Sequence, residues 1–228
     1  MNIFTRVAAS VQARYIIPHQ QSHFSRTKYG KQLALYKGKF TGKRCFLIGN
    51  GPSLRAEDLT RLREAGEITF AFNRIYSIFD QTPWRPNFYI SQDELMLAGC
   101  VDTVCGLKAD AKFIPIQLKW WNDIAIDDAK YFNIVSQQVD DPQQFLFSDD
   151  IPHCVYNSMT GMYTAAQIAA YMGFTEIYMI GVDHHFRVSQ NNQGEIVFPV
   201  LGTLKVGGMT TQETSELIVG KLERYLKE

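Results

Sequence analysis

The segment Cys45-Phe46-Leu47-Ile48-Gly49-Asn50-Gly51-Pro52-Ser53-Leu54 joins a short apolar run to a glycine turn and then to residues suited to starting a helix. Open α/β sheets deliver phosphate-bearing ligands to a helix N-terminus with such a segment. Gly49 and Gly51 let the backbone turn sharply and approach a ligand with no Cβ in between. Pro52 suits a first helical turn, where its missing N–H costs nothing, and Asn50 and Ser53 are the polar members of the loop. Leu54 stands where the G-x-G-x-x-G fingerprint requires its third glycine. The pattern therefore points to a phosphate-bearing ligand other than NAD. The plain alternative is a tight strand-to-helix turn that binds nothing.

Further polar residues follow apolar runs in the same way. Asn73 follows Ile68–Phe72, Gln92-Asp93 follows Phe88–Ser91, and Asp183-His184-His185 follows Glu176–Ile180. In a parallel sheet these strand ends share one edge, where ligands bind at the switch point. Asp183 is suited to ribose hydroxyls, to a metal or to capping a loop. His185 is suited to acid–base work near neutral pH. Tyr156-Asn157-Ser158-Met159-Thr160-Gly161 forms a second small-residue entry to a helix, where Ser158, Thr160 and Gly161 could hold another phosphate or simply cap. Asn73 also suits a turn, and Asp93 also suits capping a helix that starts at Glu94.

The elements that must position these residues alternate in type. Strands are expected at 45–48, 68–72, 88–91, 113–116, 132–135 and 176–180, with helices at 57–65, 160–173 and 210–227. Alternation implies a Rossmann-like, doubly wound, mostly parallel sheet over residues 43–228. Residues 1–42 read as a basic N-terminal extension, with an amphipathic helix at 2–16 and a loosely packed connector at 19–42. The stretch 117–150 reads as irregular and polar.

Net charge is zero over 228 residues, yet residues 1–56 hold ten Lys/Arg and no Asp or Glu. Such an extension could rest on an anionic membrane surface, or remain a solvated basic segment. No aromatic-basic pattern of a nucleic-acid module occurs. The four cysteines lack metal-ligand spacing and a disulfide framework, so reduced thiols and a cytoplasmic location are expected.

In their order, Gly49-Asn50-Gly51-Pro52-Ser53-Leu54, Asn73, Met159-Thr160-Gly161 and Tyr178-Met179-Ile180-Gly181-Val182-Asp183 resemble two related groups. One is the bacterial Cst-type sialyltransferases of glycosyltransferase family 42. The other is the MptE-like superfamily of 6-hydroxymethylpterin diphosphokinases and motility-accessory-factor-like glycosylation proteins. The resemblance covers residues 43–198. It implies a transferase of surface-glycan assembly with a nucleotide-linked, CMP-sugar-like donor, a glycan acceptor and no required metal. Asn50 and Asn73 would then contact nucleotide and donor, Thr160 and Gly161 the nucleotide pocket, and Asp183 the ribose and base. His185 would act on the leaving phosphate. The diphosphokinase likeness implies instead ATP and Mg²⁺, with Asp93 and Asp183 as ligands. No histidine follows His185, where the sialyltransferases carry their base, so a nucleotide-binding module without catalysis is the third reading.

Overall fold

Six short apolar runs pair side by side, all parallel, into one sheet. The computed structural model describes residues 23–137, 146–157 and 160–183, together with the backbone of 189–190 and 196–197. Strands β1 (Arg44–Ile48), β2 (Ile68–Phe72), β3 (Phe88–Ile90), β4 (Ala111–Pro115), β5 (Ala129–Phe132) and β8 (Glu176–Ile180) stand in the order β5-β4-β3-β2-β1-β8. Leu47 lies level with Phe70 on one side and Met179 on the other. The chain steps outward from β1 to β5 and returns to lay β8 on the free side of β1. The β1/β8 boundary is thus the topological switch point, whose carboxyl edge is the usual ligand crevice. The expected α/β, mostly parallel Rossmann-like architecture is what the molecule has.

Helices α1 (Lys28–Ala34), α2 (Ala56–Glu64), α3 (Glu94–Ala98), α4 (Val101–Gly106), α5 (Ile116–Trp121) and α6 (Gly161–Tyr171) flank the sheet. Two further strands, β6 (Ile134–Ser136) and β7 (Val155–Asn157), pair in parallel away from the main sheet. The antiparallel pair β9 (Ser189–Gln190) and β10 (Ile196–Val197) follows β8. The core is aromatic at its centre. Phe70 and Phe88 lie 4.7 Å apart between ring centroids, and Phe40 stacks on Phe174 at 4.9 Å. Such rings bury large apolar areas, the dominant favourable term in folding.

Several expectations need correction. Residues 23–42 are no loose connector: Phe24 and Leu33 are fully buried, and Tyr36 and Phe40 pack edge-on against Phe113 and Phe88. Thr27 caps α1 by accepting the Gly30 N–H, a signal carried by a residue type that favours caps. Of the ten basic residues counted above, all but Arg6 and Arg14 therefore lie in the described body of the protein. The described part of the stretch 117–150 is also more regular than expected, since it holds β5, β6 and most of α5. The expected strand at 132–135 is in fact two strands meeting at Asn133, whose side chain bonds Gln117 (2.8 Å) and the His153 carbonyl (3.2 Å). The helices expected at 2–16 and 210–227 fall outside the described residues.

Candidate functional site at the carboxyl edge of the sheet

The glycine loop is built against the end of β8. Gly49 N–H donates to the Ile180 carbonyl and Gly51 N–H to the Gly181 carbonyl, each at 2.8 Å. A Cβ on Gly49 would stand 2.2 Å from the Gly181 oxygen, and one on Gly51 would stand 2.1 Å from Asp183 Oδ2. Gly181 itself has φ +65°, a conformation that favours glycine. These glycines are demanded by the protein's own backbone. No ligand is needed to explain them.

The carboxylate of Asp183 reinforces the point, because its Oδ2 accepts the Ser53 N–H at 3.0 Å. A side-chain anion therefore sits where a phosphate was expected, and such charge-assisted bonds are the stronger kind. Pro52 does not begin a helix. Residues 51–55 form a turn, closed by Leu54 N–H to the Gly51 carbonyl at 3.0 Å, and α2 starts only at Ala56. The positive end of α2 already faces Glu57 and Asp58 in its first turn, and Asp58 pairs with Arg55 at 3.0 Å. The glycine loop thus shapes the crevice wall and offers no bare helix terminus to an anion.

Asn50, Asn73 and Gly161 meet around the end of β2. Asn50 Nδ2 donates to the Phe72 carbonyl at 3.0 Å, and a Cβ on Gly161 would lie 3.2 Å from the Phe72 ring. Asn73 follows directly, with φ +48°, a conformation Asn tolerates better than most residues. Its carbonyl accepts the Tyr89 hydroxyl at 2.8 Å, and its side-chain oxygen accepts the Ser91 hydroxyl at 3.0 Å. Burial pushes the Tyr89 hydroxyl well above the usual tyrosine range, so it stays a donor at neutral pH. Asn50, Phe72, Asn73 and the start of α6 thus form one cluster.

The N-terminus of α6 differs from that of α2. Thr160 caps it through the Met162 N–H at 3.4 Å, and no acidic residue lies in its first turn. That turn therefore supplies no carboxylate of its own to offset the positive end of the helix. Behind it, Thr164 donates to Gln92 Oε1 at 2.7 Å, and Gln92 Nε2 donates to Asn157 Oδ1 at 3.1 Å. That chain fixes α6 to the ends of β3 and β7. Gln167, fully buried, accepts the N–H groups of Ser148 and Tyr156, each at 3.0 Å, and donates to two carbonyls.

Thr164 and Gln167 were missed in the sequence. Their signal was present: two polar residues three apart, on one face of an otherwise apolar helix. Asp93 caps α3 by accepting the Met96 N–H at 2.9 Å. Asp93 and Asp183 thus each commit one carboxylate oxygen to a backbone N–H. Among the described residues no group of three His, Cys, Asp or Glu side chains could hold a metal ion. Ser158 and His185 lie outside the described residues.

The profile of the polysaccharide biosynthesis/export protein family matches residues 167–228, about a quarter of the chain. No curated protein matches the sequence. Among solved structures, the chain is similar to the MAf glycosyltransferase from Magnetospirillum magneticum AMB-1, with a TM-score of 0.40 and 17% identity. That alignment covers 75% of this chain and 31% of the glycosyltransferase, so this chain spans under a third of that protein's length.

Proposed function

We propose that this protein is a glycosyltransferase-like transferase of surface-glycan assembly that holds a nucleotide-linked donor at the carboxyl edge of its sheet. The observation that carries this reading is the N-terminus of α6, whose first turn holds no acid and which is set against Phe72 beside Asn50 and Asn73. Backbone N–H groups there match the charge of a diphosphate or phosphate diester without any metal. Asn50 and Asn73 stand beside that terminus at the ends of β1 and β2, and Asp183, anchored on Ser53, follows β8. The resemblance of residues 43–198 supports a CMP-sugar-like donor, and the match of residues 167–228 supports a polysaccharide setting.

His185, two residues beyond Asp183, is the group we assign to protonate the departing phosphate. Positioned proton donors contribute about 10²–10⁴-fold to turnover. Thermal unfolding with CMP, UDP, GDP and ATP, each with Mg²⁺ and with EDTA, tests the reading. Stabilisation by a pyrimidine nucleotide that EDTA leaves unchanged is the expected result. Stabilisation by ATP alone, abolished by EDTA, would instead support the diphosphokinase chemistry.

A further inference from the structure

The opposite, amino edge of the sheet carries a cavity of about 710 Å³. It is walled by the residues that lead into β3, β4 and β5, and four of them are cations: Arg85, Lys108, Lys112 and Lys130. Two carboxylates, Asp110 and Asp128, also line it, which leaves a net charge of +2. Asp110 is held by the side-chain amide of Asn87 at 3.0 Å.

Lys112 is the unusual member. It lies within β4 and is only 6% exposed, and its ammonium donates to the Cys105 carbonyl. The ion pairs among the described residues are Arg44–Glu67, Arg55–Asp58 and Arg61–Asp58, so none of the four cavity cations has a carboxylate partner. Burying an ammonium with a carbonyl for company and no counter-ion is costly. Arg85 is fixed in place. Its Nη1 donates to the carbonyls of Thr82 (3.0 Å) and Trp84 (2.6 Å), and its guanidinium lies 4.1 Å from the Phe79 ring centroid. Lys108 is exposed and Lys130 half-buried, at the mouth.

We propose that this cavity is a second binding site, specific for a phosphate dianion, either free or as a phosphomonoester. Lys112 is its buried counter-ion, and Lys108 and Lys130 close on it from the mouth. The volume lies within the ~300–1,000 Å³ common for small-molecule sites. The net charge of the walls equals that of the dianion with opposite sign. The site is independent of the donor crevice, because it opens at the other ends of the strands.

Thermal unfolding of the full chain in inorganic phosphate, against sodium chloride at matched ionic strength, tests this directly, with glycerol phosphate as the monoester arm. At about 100 times the dissociation constant, phosphate or its monoester should raise the midpoint by about 5–10 °C, and chloride should not. A response to the monoester alone assigns the esterified form. The double variant Lys108→Glu/Lys130→Glu should lose the rise, whereas Thr160→Asp at the other edge should keep it. Lys112→Met should unfold at a higher temperature than wild type without phosphate and should no longer respond to it. An equal rise in chloride would overturn the proposal, as would a full phosphate response in either lysine variant. So would a response that only Thr160→Asp removes, which would put the phosphate at the donor crevice.

Discussion

Replacing Gly49 by alanine should damage the fold through a contact no local reading contains. The new Cβ would sit 2.2 Å from the Gly181 carbonyl oxygen, about an ångström inside the closest real contacts. That oxygen is backbone and cannot swing aside, and it accepts the Gly51 N–H. Relief requires the β1 and β8 loops to part, which strains two backbone hydrogen bonds, each worth about 0.5–1.5 kcal/mol net. Overpacking adds about 1–3 kcal/mol. The expected loss is about 3 kcal/mol, or roughly 6–12 °C in midpoint for a chain of this length. Gly51→Ala should cost less, because the Asp183 carboxylate can rotate away at the cost of the Ser53 bond and the remaining backbone clash, with the Gly181 oxygen at 2.7 Å, is milder. Gly66 provides the control. It has φ +68° and no heavy atom within 4 Å of a built Cβ, so Gly66→Ala should carry only the left-handed penalty of about 1–2 kcal/mol. Urea and thermal unfolding of the three variants should rank Gly49 worst and Gly66 mildest. A Gly49→Ala protein no less stable than Gly66→Ala would refute the reasoning that the glycines serve the β1–β8 contact.

Two further predictions concern the N-terminal residues and the response to alkali. A chain starting at Lys39 loses buried Phe24 and Leu33 and the ring contacts of Tyr29 and Tyr36, so it should fail to fold cooperatively by circular dichroism. Losing even two such side chains costs roughly 5–10 kcal/mol, comparable to the whole stability of a domain. A chain starting at His23 keeps all of these side chains. Cosedimentation of that shorter chain with anionic vesicles at low salt would place any membrane contact on the folded body, and its loss would place it on residues 1–22. In alkali, burial pushes the Cys45 thiol up to about 12 from 9.0, and burial with a Cys100 hydrogen bond raises Tyr76 to about 12 from 10.0. Both groups therefore release protons more readily in the unfolded chain. Their contribution should be complete below pH 9, fall as pH rises, and be gone above about 12. Urea unfolding at pH 8, 9 and 10 should show that decline, and a flat profile would contradict the assignment.

The sheet was legible where apolar runs end abruptly. Ile68–Phe72 lies between Glu67 and Asn73, and Glu176–Ile180 ends at Gly181, and both strands have the bounds the sequence implies. Strand β4 starts two residues before the expected position and ends one before it, because Lys112 interrupts its apolar pattern while being buried in it. The 23–42 segment was misread because its glycines and lysines mask a stripe of Phe24, Tyr29, Leu33, Tyr36 and Phe40 that packs on the sheet. At the candidate site, the gathering of Asn50, Asn73, Gly161 and Asp183 on one edge followed from strand alternation. Their partners did not. The Asp183–Ser53 bond spans 130 residues, and residue type alone does not separate a carboxylate that meets a ligand from one that satisfies the loop. Under the function proposed above, the anion-binding role moves from the glycine loop to the start of α6.

Calorimetric titration of CMP, and of the other nucleotides, into Thr160→Asp and Thr160→Asn tests that shift most directly. Asp and Asn both cap helices well, so both variants should keep α6 and unfold near the wild-type temperature. Asp alone places a fixed negative charge at the proposed phosphate position. The account predicts nucleotide affinity within a few-fold of wild type for Thr160→Asn, and a loss of about tenfold or more for Thr160→Asp. Equal binding by wild type, Thr160→Asn and Thr160→Asp would contradict it, and would mean that the nucleotide, if bound, is held elsewhere.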